Sequence, residues 1–345
     1  MKIIKFTLII MIIISCAFNL HAFPKKKHSL IKDEINRDNF ENLFELGYYY
    51  GFVQFCNFQN ADDKELIKGL KGLIAYTHWS LFLVFNRGIQ GIEGDLYGAG
   101  FGYGSTAGGF VDIAALRELL NGVKLISVMG VNSETGVINP LREVVELAKE
   151  HDALVHCDAT QMVGREPFDM TELGIDLVSF SGHKIYGPAG VGALIVSREV
   201  RKLLEPLLLG GGHENGLRSG SLNVAGIVGL GVASRLAEKE RLADSNRLSY
   251  LRDQLVSDLQ RLLPEVQELG DTSKRVANTT NIRFLGADAD AVMANMRDVA
   301  VSNGSACSSG AIEPSIVLRE MGLDRTAASE ALRFSLGRIT KGDDI

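Results

Sequence analysis

From residue 124 the chain repeats one pattern: a short apolar run that ends on polar residues, then a stretch of a different period. The runs are "KLISVM" (124–129), "ALVHC" (153–157), "DLVSFS" (176–181) and "GVGALIVS" (190–197). Each has strand length and β-branched content. Between the first two lies "NPLREVVELAKEH", where Asn139 is placed to cap a helix and Pro140 to open it. Leu141, Val144, Val145 and Ala148 then recur on one face of that helix. Strands alternating with helices predict an α/β fold with a largely parallel sheet covered on both faces. In such sheets ligands gather beyond the carboxyl ends of the strands. Asp158, Gln161, Ser181, His183 and Lys184 all fall there.

The remaining chain divides around this block. A helical region runs from about Asn223 to Leu263, with an interruption expected near Asp244, and Pro264 and the polar run to Asn278 read as a boundary. A smaller α/β unit follows: "TTNIRFL" as a strand, "DADAVMANMRD" as a helix, "VAVSNG" as a strand, a Gly/Ser loop, a helix opened by Pro314, and a last strand "ALRFSLG". This gives a large domain over 109–263 and a small one over 264–345. Residues 23–108 are rich in glycine and aromatics and carry no assignable function. Their "GYGSTA" fits a dinucleotide-binding glycine pattern only loosely, with no entry strand before it.

The N-terminus, "MKIIKFTLIIMIIISCAFNLHAF", has Lys2 and Lys5 before an apolar run too short to span a bilayer. It predicts a signal peptide over 1–22, cleaved after Ala22, or a lipoprotein-type signal with Cys16 as the lipidated residue. A net charge of −6 over 345 residues gives no electrostatic case for nucleic-acid binding. The four cysteines form no C-x-x-C pair, which argues against a zinc site and a dense disulfide framework.

Lys184 and Asp158 carry the first chemical signal. A lysine amine becomes nucleophilic when a desolvated pocket lowers its pKa, and can then form a Schiff base with an aldehyde cofactor. Pyridoxal phosphate also needs an acid at its ring nitrogen. Alone, Lys184 would read as a surface lysine and Asp158 as a loop or capping residue; together, on strand ends of one sheet, they read as a pair. Cys307 sits in "SNGSACSSG", among small flexible residues that suit a mobile nucleophile better than a structural cysteine. Cys157, ending a strand, reads as a small buried hydrophobe.

Four segments in order, "VHCDATQMVG", "SFSGHKIYGPAGVGAL", "GGGHENGLRSGSLN" and "VSNGSACSSGAIEPS", resemble the cysteine desulfurases of the NifS/IscS type, class V aminotransferases with the fold of type I pyridoxal-phosphate enzymes. The resemblance runs from about residue 109 to the end. It implies pyridoxal 5'-phosphate as cofactor and L-cysteine as substrate. Lys184 would hold the cofactor and move the substrate's α-proton. Asp158 would meet the ring nitrogen and Gln161 the phenolic oxygen. Ser181 and His183 would bind the phosphate, and Ser221, where the family has threonine, would reach it across a homodimer interface. Asn132 would lie near the substrate carboxylate and ring oxygen, and Arg333 would clamp that carboxylate with its planar fork. Cys307 would take the sulfur, leaving alanine and a protein persulfide for an acceptor protein of iron–sulfur assembly or tRNA thiolation. It would also serve, in a weaker implication, as an iron–sulfur ligand.

The family's opening portion, with a phosphate-binding turn and a ring-stacking histidine, has no counterpart between Phe23 and Phe110, and the family continues beyond "ITKGDDI". The expectation is therefore a desulfurase segment incomplete at both ends, with weakened cofactor affinity. Two other readings stand beside it. One is a selenocysteine lyase or other class V aminotransferase, against which the loop cysteine argues. The other is an exported or lipid-anchored fusion carrying a relic enzyme. The desulfurase segment implies a cytoplasmic setting and the N-terminal signal implies export.

Overall fold

The computed structural model describes residues 57–58, 83–86, 106–121, 123–206, 209–296, 298–304 and 314–345. The signal-like N-terminus, most of the 23–108 segment and Cys307 lie outside them.

The strands are β1 (Asn57–Phe58), β2 (Leu83–Asn86), β3 (Val123–Met129), β4 (Leu154–Asp158), β5 (Leu177–Ser181), β6 (Gly192–Val196), β7 (Leu204–Glu205), β8 (Val266–Leu269), β9 (Thr279–Phe284) and β10 (Ala331–Ser335). A five-stranded sheet has the order β2-β3-β4-β5-β6. Its central members β3, β4 and β5 are parallel, while β2 and β6 run antiparallel on the two edges. The expected α/β architecture with a parallel centre is therefore present. β1 and β7 form a short separate pair.

The helices are α1 (Ile113–Leu119), α2 (Leu141–Glu150), α3 (Met170–Leu173), α4 (Arg198–Arg201), α5 (Val224–Leu262), α6 (Ala289–Asn295), α7 (Ile316–Glu320) and α8 (Arg325–Ser329). The stripe foreseen on α2 is buried as expected, at Leu141, Val144, Val145 and Ala148, and Leu147 joins it. It packs with Leu116, Leu120, Ile126, Val155 and Val178 in one core cluster. Fully burying an aliphatic side chain of this size contributes about 1.5–3 kcal/mol, so this layer is the main brace of the parallel strands.

Several expectations need correction. Asn139 does not cap α2. Pro140 holds the cap position without a side-chain bond, and Asn139 instead accepts from the Val111 N–H and donates to the Met129 carbonyl. The helix expected to break near Asp244 is continuous over 39 residues. Asp244 is surface helix: its carboxylate faces Arg247 and Arg338, so it is satisfied without leaving the helix. The polar run after Pro264 contains strand β8, of which only Leu269 is buried; it reads as loop in sequence because what holds it is the antiparallel ladder to β9 and the Glu268–Arg275 pair, not an apolar period of its own. "VAVSNG" forms no strand, only a single bridge between Ser302 and Arg333. The helix after Pro314 is capped by Ser315, whose hydroxyl accepts from the Leu318 N–H.

β8, β9 and β10 form an antiparallel sheet of their own, in the order β10-β9-β8. Between this sheet and the turn that follows β3, Arg333 donates to the Ser133 carbonyl and Asn281 to the Glu134 carbonyl. Among the described residues no helix is long and apolar enough to cross a membrane.

Candidate active site

Three parallel strands end side by side, and the expected site residues lie on the segments that leave them. Asn132 follows β3, Asp158 ends β4 with Gln161 in the next turn, and Ser181 ends β5 with His183 and Lys184 in a 3-10 turn over Gly182–Ile185. Asp158 is paired in register with Ser179 and Met129, so their side chains share one face of the sheet.

Asp158 is buried, 9% exposed, and one of its oxygens accepts the Thr160 N–H at 2.9 Å. Burial pushes its carboxyl above the ordinary range, and the bonds from Thr160 act against that. Beneath it on the same face, the His156 ring lies between two hydroxyls: Nδ1 is 2.7 Å from Ser127 Oγ and Nε2 is 3.0 Å from Ser179 Oγ. Desolvation lowers this histidine to about 4, so it is neutral at physiological pH. Beside it Cys157 is buried on the opposite face; burial pushes its thiol well up, as the reading of an inert hydrophobe requires.

The Lys184 turn is held from several sides. Arg165 Nη2 donates to the Lys184 carbonyl at 3.0 Å. Ile185 packs under Ala233 and Ala237 of α5. Tyr186 takes a left-handed φ of 64° and its hydroxyl accepts the Arg338 N–H at 2.9 Å, with the Arg338 guanidinium 4.9 Å above its ring. A non-glycine residue in this region costs on the order of 1 kcal/mol, which the two Arg338 contacts offset. Ser181 Oγ and His183 Nδ1 lie 2.8 Å apart; partial burial and the Lys184 charge lower the histidine's pKa.

Asn132 and Arg333 meet at the next turn. Asn132 is 1% exposed, and its carboxamide oxygen accepts the N–H groups of Glu134 and Thr135. It therefore shapes the turn, which Gly136 closes at a left-handed φ of 76°, where an added Cβ would stand 3.0 Å from Thr279 Cβ and 3.1 Å from its carbonyl oxygen. Arg333 Nη1 donates to the Ser133 carbonyl at 3.0 Å, while Nε is buried with no partner among the described residues. Burial lowers the Arg333 pKa and the Glu134 charge opposes that. Ser221 is exposed, in the loop before α5, and its carbonyl accepts from Arg218. Among the described residues no hydrogen bond joins its side chain to the others. Cys307, as catalytic residue and as iron–sulfur ligand, lies outside the described residues.

These residues fit pyridoxal phosphate. A buried carboxylate with no cation beside it among the described residues suits a pyridinium N–H, and a buried guanidinium whose Nε has no partner among them suits a carboxylate. Sequence reasoning missed Glu134, Ser315, Arg165 and His156. The signal was faint: "NSETG" has the form of an asparagine-closed turn, but nothing in it marks Glu134 as fully buried.

A class V aminotransferase family model matches residues 103–345. The chain belongs to the class V aminotransferase family. It is 45% identical over 221 residues to a cysteine desulfurase IscS of Anaeromyxobacter dehalogenans, covering 64% of this chain and 55% of that protein. The chain thus spans about half the length of the curated relatives it matches. A NifS-like protein from Rickettsia africae superposes with a TM-score of 0.63 at 32% identity, over 70% of this chain and 65% of that one. The crystal structure of DndA from Streptomyces lividans gives 0.58 at 27% identity, over 96% and 95% of the two chains. The NifS/IscS resemblance read from the four motifs therefore holds, and with it the fold of type I pyridoxal-phosphate enzymes.

Proposed function

We propose that the chain carries the site of a pyridoxal-phosphate-dependent cysteine desulfurase, acting on L-cysteine. The observation that carries this is Asp158, a buried carboxylate at the end of a central parallel strand, next to the strand whose terminal turn bears Lys184. When bound, the cofactor supplies a ring that accepts the electron pair released at the substrate's Cα. Asp158 keeps the ring nitrogen protonated, and Gln161 bonds the phenolic oxygen. Ser181 and His183 bind the phosphate. Lys184 Nζ anchors the cofactor and then moves the α-proton. Arg333 offers its Nε edge to the substrate carboxylate, beside the wall that Asn132 shapes. The Cys307 thiolate attacks the substrate sulfur: an S–S bond forms, the Cβ–S bond breaks, and its electron pair stays with carbon, which takes a proton to give alanine. The persulfide passes its sulfur to an acceptor protein of iron–sulfur assembly or tRNA thiolation.

Support for this reading comes from the relatives' names, the four motifs and the clustering of the described residues. We read 109–263 and 264–345 as the large and small domains, and the active form as a homodimer in which Ser221 reaches the partner's phosphate. The test is optical. Purified chain supplied with pyridoxal phosphate should develop a visible band that Lys184→Ala abolishes. Cys307→Ala should keep the band and stop alanine formation from cysteine. A colourless wild type, or a band indifferent to Lys184→Ala, rules the reading out.

A further inference from the structure

Glu134 is a carboxylate with no exposed surface, and the catalytic scheme above does not use it. It is held at three points. Its N–H donates to Asn132 Oδ1 at 2.8 Å, its carbonyl accepts from Asn281 Nδ2 at 3.2 Å, and its Oε2 accepts from the Ser315 hydroxyl. Those partners come from the turn after β3, from β9 and from the cap of α7. They are 147 and 181 residues away in the last two cases. Immediately before it, the Ser133 carbonyl receives Arg333 Nη1. A guanidinium is planar, so fixing one Nη fixes the direction of the Nε edge. That edge is buried and has no partner among the described residues.

We propose that Glu134, latched by Ser315, is a positioning residue for the carboxylate-binding arginine: it fixes the Ser133 carbonyl and so aims the Nε edge of Arg333 at the substrate carboxylate. The inference rests on the desulfurase reading. Its physical basis is that the turn's own hydrogen bonds set its shape, while the Glu134 side chain ties it to the cap of α7. Loss of the Ser315 bond leaves an unsatisfied buried acceptor and frees the turn to shift. The Glu134 charge also supports the guanidinium in its desolvated setting, which opposes the loss of charge that burial favours.

The experiment compares two ligands of the cofactor-loaded chain by calorimetry: alanine, which has a carboxylate, and ethylamine, which lacks one. Glu134→Ala should weaken alanine binding by about tenfold, the loss of one buried hydrogen bond, and leave ethylamine unchanged. Glu134→Gln keeps an oxygen for Ser315 and should stay within about threefold of wild type for alanine. Equal losses for both ligands mean a merely structural residue and overturn the proposal, as does unchanged alanine binding in Glu134→Ala. A Glu134→Gln no better than Glu134→Ala overturns the latch. If Glu134→Ala does not fold, Ser315→Ala breaks the same bond from the other side and should show the same selective loss for alanine; its absence overturns the proposal. A wild type that binds neither ligand instead defeats the desulfurase reading itself.

Discussion

His156 shows what a residue's neighbours can do that its identity does not announce. In "LVHCD" a histidine before an aspartate suggests a titrating group, yet both ring nitrogens are taken by serine hydroxyls and the ring is held neutral. Its folded pKa is depressed from 6.5 to about 4. Between those values the unfolded chain binds the proton and the folded chain does not. The associated stability is present above pH 6.5 and is lost as pH falls through about 4. His156→Gln keeps hydrogen-bonding groups for both serines but cannot charge. The difference in unfolding free energy between wild type and variant, by urea titration, should therefore move against wild type by on the order of 2–3 kcal/mol over this window. A flat difference would show that the ring charges freely in the folded state. Asp158, on the same face, shifts in the opposite sense, because burial raises its pKa. That contribution is common to both proteins and cancels in the difference.

At the scale of elements, legibility followed the range of the interactions. The strands and the buried face of α2 depend on local period: β5, β6 and α2 lie within the segments read from sequence, and β3 and β4 each run one residue beyond theirs, at Val123 and Asp158. The strand ends that carry Asp158, Ser181 and Lys184 were legible for the same reason. What failed depended on partners outside the local stretch: β8, whose ladder runs against β9; α5, whose Asp244 meets Arg338; and Asn139, drawn to Val111. Glu134 was illegible because Ser315 is 181 residues distant. Asn139 gives a direct test. Its side chain ties the end of β3 to Val111, just before α1, through bonds of 2.8 and 2.9 Å, and it is 4% exposed. Asn139→Ala leaves a buried N–H and a buried carbonyl unpaired, which costs about 2–3 kcal/mol. Had Asn139 been the ordinary helix cap that its position suggests, the loss would be about 1 kcal/mol and confined to α2. Urea unfolding gives the magnitude, and hydrogen exchange locates it: the tie predicts faster exchange at Val111.

The whole molecule leaves one surface for which its own described parts offer no cover. α5 turns Ala233 and Ala237 toward the Lys184 turn, where Gly164 lies so close to Ala237 that a Cβ there would stand 2.8 Å away. The other side of its first turns is apolar and open: Val224 is 65% exposed, Val228 62% and Ile227 42%, and Val232 and Leu236 continue the stripe. Contiguous apolar area of this kind marks an interface more often than plain surface. The stripe begins directly after the exposed loop that carries Ser221, the residue assigned to a partner's phosphate site. A second copy laid on the stripe would bring that loop to it, so assembly and completion of the proposed site would be one event. Val228→Asp places a charge where the copies would meet and touches no residue of the core. Sedimentation equilibrium should then show wild type as a dimer and Val228→Asp as a monomer with unchanged circular dichroism. The same variant should hold pyridoxal phosphate about tenfold more weakly, because it forfeits the partner's Ser221 hydroxyl, and Ser221→Ala in the dimer should reproduce that loss. A monomeric wild type, or a monomeric Val228→Asp that retains full affinity, would separate α5 from the site and leave Ser221 as an ordinary loop residue.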